Sequence, residues 1–191
     1  MRTKIQNKTA SAEIESLGAQ LMSLKNAEGT EYLWQGNPAF WSSRAPVLFP
    51  TVGNVRGGTT IINGKPYALK RHGFARNLEH SVLDSGANFI AYSLKDSEET
   101  RKLYPFVFEL RVTYRLIENG LTTEFAVFNR GDEELPFGIG GHPGFRCPLV
   151  PGERFEDYRI LFEKEETADC PTIDIQTGLI DFNKRHTVLR G

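Results

Sequence analysis

Three observations make this sequence read as an antiparallel all-β domain. Apolar residues recur with a two-residue beat, most clearly over residues 106–116. There Phe106, Phe108, Leu110, Val112, Tyr114 and Leu116 share one face, with Glu109, Arg111, Thr113 and Arg115 on the other. Turn chemistry punctuates the chain at short intervals and includes the Asn-Gly pairs at 63–64 and 119–120, the strongest short hairpin signals. Helical periodicity is almost absent, so the elements add up to layered antiparallel sheets.

Taken in order, residues 12–17 alternate polar and apolar, Gly18 breaks the run, and residues 21–25 form a second strand closed by a turn at 26–29. Tyr32, Trp34, Phe40 and Trp41 follow, dense enough in aromatics either to stack on a sugar ring or to fill a core. Thr59–Ile62 and residues 65–69 flank Asn63-Gly64 as a hairpin. Residues 78–83 and 89–94 pair across a five-residue loop. Asp96 with Glu99 three residues on marks the start of one short helix, which Pro105 ends. Asn119-Gly120 turns the long strand into residues 121–129, and residues 158–163 read as a further strand. Beyond them, through Pro171 to Asn183, the signal weakens.

Composition bounds the function. A chain of 191 residues, 39% hydrophobic and 25% charged, supports one core and predicts a single domain over 1–191. A net charge of -1 with mixed signs offers no field for nucleic acid or an anionic membrane surface. No apolar run reaches the roughly 20 residues of a membrane span, and residues 1–6 lack the apolar core of a signal peptide, so the expected location is the cytoplasm. Cys147 and Cys170 lack Cys-x-x-Cys spacing and read as free, partly buried thiols.

Two segments break the strand grammar. Residues 135–148 hold four glycines and three prolines around His142, with Pro143 biasing that histidine towards extended backbone. Such a peptide either aims an imidazole at a ligand or merely turns, with its histidine buried. Residues 44–58 carry an apolar burst between two prolines, and then Asn54 and Arg56, which fall on one face of an extended chain. His72 stands between Arg71 and Arg76. That setting favours its neutral form and suits either a hydrogen bond to a polyhydroxylated ligand or a solvated basic turn.

Leu48-Phe-Pro-Thr-Val-Gly53, the Asn63-Gly64 hairpin, His72-Gly-Phe-Ala-Arg76 and Gly140-Gly-His-Pro143, in that order and spacing, resemble the aldose 1-epimerase (galactose mutarotase) family, and more narrowly its LacX-type branch. Gly18-Ala-Gln-Leu21 and Glu31-Tyr-Leu-Trp34 fit as well, so the match runs from about residue 14 onward. The resemblance implies a galactose mutarotase-like β-sandwich (supersandwich) with a sugar groove on one sheet, a small-molecule hexose or hexose phosphate as partner, and no cofactor. Members of the family are usually longer, so the chain corresponds to the N-terminal two-thirds or so of the fold. A fold truncated in this way has exposed sheet edges that favour a homodimer or aggregation.

Mutarotation opens the ring by removing the anomeric hydroxyl proton and protonating the ring oxygen, then recloses it on the other face; histidine as acid with a carboxylate as base suits both steps near neutral pH. The resemblance assigns the acid to His142 and a contact near the ring oxygen to His72, and it puts the general base, a glutamate, beyond residue 191. Much of the family carries arginine directly after the glycine that matches Gly53, where this chain has Asn54. Arg56 is the replacement that lies on the same face, with Arg76 and Arg44 as further candidates; two or three arginines together would suit a hexose phosphate. Three classes of function stay open on the residues: a cofactor-free epimerase, a non-catalytic carbohydrate-binding module with the same groove, and a metal enzyme using His72 and His142. No His-x-His spacing or acidic triplet supports the third.

Overall fold

The computed structural model describes residues 1–165 and 170–186. Strands β1 (Arg2–Gln6), β2 (Ala10–Glu15) and β3 (Gln20–Asn26) form an antiparallel meander. After β4 (Val47–Leu48), the hairpin of β5 (Thr59–Ile62) and β6 (Lys65–Ala68) turns at Asn63 and Gly64, whose φ values of 49° and 75° are both positive, as the dipeptide predicts. A four-stranded antiparallel sheet comes next in the order β10-β9-β8-β7, from β7 (Ser81–Ser85), β8 (Phe89–Lys95), β9 (Phe108–Ile117) and β10 (Gly120–Asn129). Two small pairs complete the described chain: β11 (Gly140–Gly141) beside β4, and β12 (Cys170–Ile173) with β13 (Ile180–His186).

The meander and the four-stranded sheet share one core, as a sandwich requires. Ile5, Ile14 and Leu21 of the first pack in one apolar cluster with Tyr92, Leu110, Val112 and Leu116 of the second. Tyr114 reaches across the layers and donates its hydroxyl to the carbonyl of Ala19 at 2.8 Å. Alternation along β9 holds as read, since Phe108, Leu110, Val112, Tyr114 and Leu116 are all buried while Arg115 is exposed. The antiparallel all-β sandwich predicted from the sequence is therefore the fold observed.

Four local readings need correction. The helix α1 (Glu98–Leu103) starts one residue later than the Asp96 signature implies: Ser97 is the cap, accepting from the Thr100 amide while the Thr100 hydroxyl accepts from the Ser97 amide. Asp96 instead pairs with Arg101. Residues 158–163 are not a strand. A strand exists by pairing, nothing among the described residues ladders with this segment, and Ile160 and Leu161 are left 81% and 78% exposed. The two cysteines are free, yet they are exposed rather than partly buried. The weak stretch after Pro171 forms β12 and β13, with a register shift between Pro171 and Thr172 that breaks the two-residue beat.

Candidate functional site

Gly73 fixes the position of one histidine. It adopts φ +70°, and a Cβ there would collide with the Phe49 carbonyl. Without that side chain, the Phe49 carbonyl accepts the amides of Phe74 (3.0 Å) and Ala75 (3.2 Å), which draws the 72–75 turn against the end of β4. His72 is then clamped by Gly53 on both sides: its own amide donates to the Gly53 carbonyl at 2.9 Å, and its Nδ1 accepts the Gly53 amide at 3.0 Å. An Nδ1 that accepts carries no proton, so the ring is neutral and its Nε2–H is the available donor. Burial lowers the His72 pKa below the ordinary histidine value, and the charges of Arg71 and Arg76 and the neighbouring His142 lower it further.

The second histidine hangs on β11. Gly140 pairs with Leu48 and Gly141 with Val47; the His142 amide donates to the Pro46 carbonyl at 3.1 Å, and the Gly144 amide to the Arg44 carbonyl at 2.8 Å. The glycines thus let residues 140–144 run beside 44–48, the strand that leads into the Phe49 contact. One pairing therefore sets the distance between the two imidazoles: their centroids are 5.6 Å apart, and His142 is exposed rather than buried in hydrocarbon. Trp41 extends the row, its ring centroid 5.3 Å from that of His142 in an edge arrangement at 65°.

The remaining candidates are placed differently. Arg76 stays close to His72, with its guanidinium donating to the Arg71 carbonyl at 3.2 Å and its Nε buried without a partner among the described residues. Asn54 and Arg56 line a cavity of about 780 Å³ together with Lys70 and Arg71. Both chain neighbours of His72 belong to its wall, but neither histidine does. The extended path expected through Asn54 and Arg56 ends at Arg56, which opens a short 3₁₀ turn, and the Asn54 amide is spent on the Thr177 carbonyl at 3.2 Å. Arg44 is structural: its guanidinium holds the Met22 carbonyl at 2.7 Å and its amide holds Gln20 at 3.0 Å. Arg71, named in the sequence only as a flank of His72, acts on that ring's charge. Among the described residues no three His, Cys, Asp or Glu side chains converge as a metal site.

Fold and site together define an antiparallel β-sandwich that brings two imidazoles and an indole close together. The chain belongs to the aldose 1-epimerase family, whose model matches residues 1–189. It is similar to the chromosomal protein LacX of Lactococcus lactis subsp. lactis, 38% identical over 97% of this chain and 64% of that protein. Among solved structures it resembles a galactose mutarotase related enzyme from Lactobacillus acidophilus, with a TM-score of 0.91 and 41% identity over 98% of this chain and 62% of the other. A galactose mutarotase-like protein from Lactobacillus casei superposes with a TM-score of 0.76 at 35% identity, covering 79% of this chain and 52% of the other. The chain thus spans less than two thirds of each of these relatives. No helix among the described residues is long and apolar enough to cross a membrane.

Proposed function

We propose that this chain carries the acid half of an aldose 1-epimerase site and interconverts the α and β anomers of a hexose or hexose phosphate without a cofactor. The separation of the His72 and His142 rings, 5.6 Å across an open rim, is the observation that supports this reading most directly. A pyranose set against this pair meets a neutral Nε2–H from His72 and an imidazole of His142 open to solvent for proton exchange. In the forward step a base takes the proton from the anomeric hydroxyl, and its O–H electrons form the C1 carbonyl as the bond from C1 to the ring oxygen breaks. His142 delivers a proton to that oxygen. Rotation about C1–C2 and reversal of the step yield the other anomer.

The base is a glutamate beyond residue 191, as the family resemblance implies, and residues 1–191 form a single unit, the N-terminal two-thirds or so of the sandwich. Arg71 and Arg76 beside His72, with Arg56 in the adjoining cavity, favour a substrate that also carries a phosphate.

Polarimetry of fresh α-glucose, α-galactose and their 6-phosphates with the complete gene product tests the reading. Catalysed relaxation is expected, and His142→Ala lowers its kcat by about 10²- to 10⁴-fold with the fold intact. Unchanged mutarotation in that variant removes His142 from the acid role. Sugar binding without turnover in the unmutated protein supports a non-catalytic carbohydrate-binding module instead.

A further inference from the structure

We propose that Trp41 is the platform on which the C–H face of the sugar ring stacks. The inference rests on the epimerase reading of the same hollow but concerns a residue which that reading leaves without a role. Trp41 is half-buried and its ring stands beside that of His142, which in turn neighbours His72, so His142 is flanked by an indole at 5.3 Å and an imidazole at 5.6 Å.

The indole is held as a fixed surface. Its backbone amide donates to the Asn37 carbonyl at 2.8 Å, and its carbonyl accepts the indole N–H of Trp34 at 2.7 Å. The six-membered part of the ring lies against Gly144, where a Cβ would come within 2.8 Å of Trp41 and 3.1 Å of Trp34. Gly144 therefore leaves room for an aromatic plate beside the histidine two residues before it, which accounts for a glycine that neither turn nor strand demands at that position. An indole in contact with solvent next to two hydrogen-bonding imidazoles matches the two-sided chemistry of a pyranose, with hydroxyls at the rim and C–H bonds on the faces. The platform holds the ring by its C–H face while the imidazoles act at its edge.

An indole platform is directly observable by its fluorescence. In the complete gene product, α-galactose or α-glucose is expected to change the indole emission saturably, and the part of that change lost in Trp41→Phe belongs to Trp41. Trp41→Ala should weaken sugar binding about tenfold by calorimetry and raise KM in proportion, with kcat changed less, while Trp41→Phe keeps most of the affinity. The two readings fail separately. Saturable emission change without catalysed mutarotation sinks the epimerase reading and leaves the platform standing; full turnover with unchanged KM in Trp41→Ala overturns the platform and leaves the epimerase reading. Saturable binding that does not perturb the indole also overturns the platform, and absence of both binding and turnover overturns both. If Trp41→Ala fails to fold, the emission difference between the unmutated protein and Trp41→Phe, together with the Trp41→Phe KM, decides the matter.

Discussion

His72 sits at φ +67°, a left-handed conformation that costs a residue with a side chain roughly 1–3 kcal/mol, and the double clamp to Gly53 holds it there. That clamp has an acid–base consequence, because protonating Nδ1 would set two donors against each other. Burial, then Arg71, Arg76 and His142, already lower the pKa of this ring. Its folded pKa therefore lies below 6.5, the ordinary value, and an unfolded chain takes up the proton first as pH falls. The stability contribution of the neutral ring is fully present above 6.5 and is lost as pH drops through and below that value. Activity follows the same sign: the acid limb of kcat/KM should lie below 6.5 if it reports His72. Arg71→Gln removes one of the charges responsible and is expected to move that limb upward towards 6.5, as read from a pH–rate profile. A limb that stays in place would mean that His72 is not the group being titrated.

At the scale of elements, the outer face of the four-stranded sheet shows how a wet face becomes a structural one. Alternation places Glu109 on the polar side of β9, yet it is only 3% exposed, because Arg111 (2.6 Å) and Arg130 (2.6 Å) close over its carboxylate and Ser93 donates from β8 at 3.1 Å. Both guanidiniums also lie over the ring of Phe128, at 4.6 and 4.8 Å. The Arg111 bond, then that of Arg130, lowers the Glu109 pKa from 4.5 to about 2. A depressed carboxylate adds stability above its unfolded pKa and loses it as pH falls towards the folded one. Urea unfolding should therefore show stability declining between pH 4.5 and about 2, and Glu109→Gln should lower the neutral-pH plateau and flatten that decline.

These two cases mark what the sequence made legible. The alternation of β9 and the Asn63-Gly64 turn are local signals, so both elements could be read, and His72 and His142 stood out through their glycines and prolines. The cover of Glu109 could not be read, because Arg130 meets it only after β10 folds back on β9. The role of Trp41 stayed open for the same reason: whether an aromatic is core or platform depends on the ring it meets, and His142 lies about a hundred residues away along the chain. Asn54 shared a face with Arg56 on paper, but the carbonyl of Thr177 takes its amide, a partner from a stretch whose strand signal was weak.

At the scale of the whole molecule, the apolar surface is unevenly distributed. The meander and the inner faces of β8 and β9 are closed, whereas Phe155, Ile160, Leu161, Phe162, Ile175 and Phe182 are between 63% and 95% exposed, all in the last quarter of the described chain. The long strand β10 also forms one end of its sheet, with an edge unpaired among the described residues. Exposed apolar side chains lose contact with water whenever two such surfaces meet, and an unpaired edge offers backbone donors and acceptors to a neighbouring strand. The relatives are longer, since this chain covers 64% of LacX and 62% of the Lactobacillus acidophilus enzyme, so their additional residues have such a surface available to cover. The 191-residue chain produced alone should accordingly self-associate with rising concentration in analytical ultracentrifugation. Replacing Ile160, Leu161 and Phe162 together by lysine should shift it towards monomer while leaving its unfolding midpoint nearly unchanged, because these side chains contribute little to the shared core. If association persists in that variant and disappears when Lys replaces Thr123 on the exposed part of β10, the sheet edge and not the apolar segment carries the contact. If the unmutated chain stays monomeric at every concentration, neither surface is adhesive and the exposed residues are simply solvated.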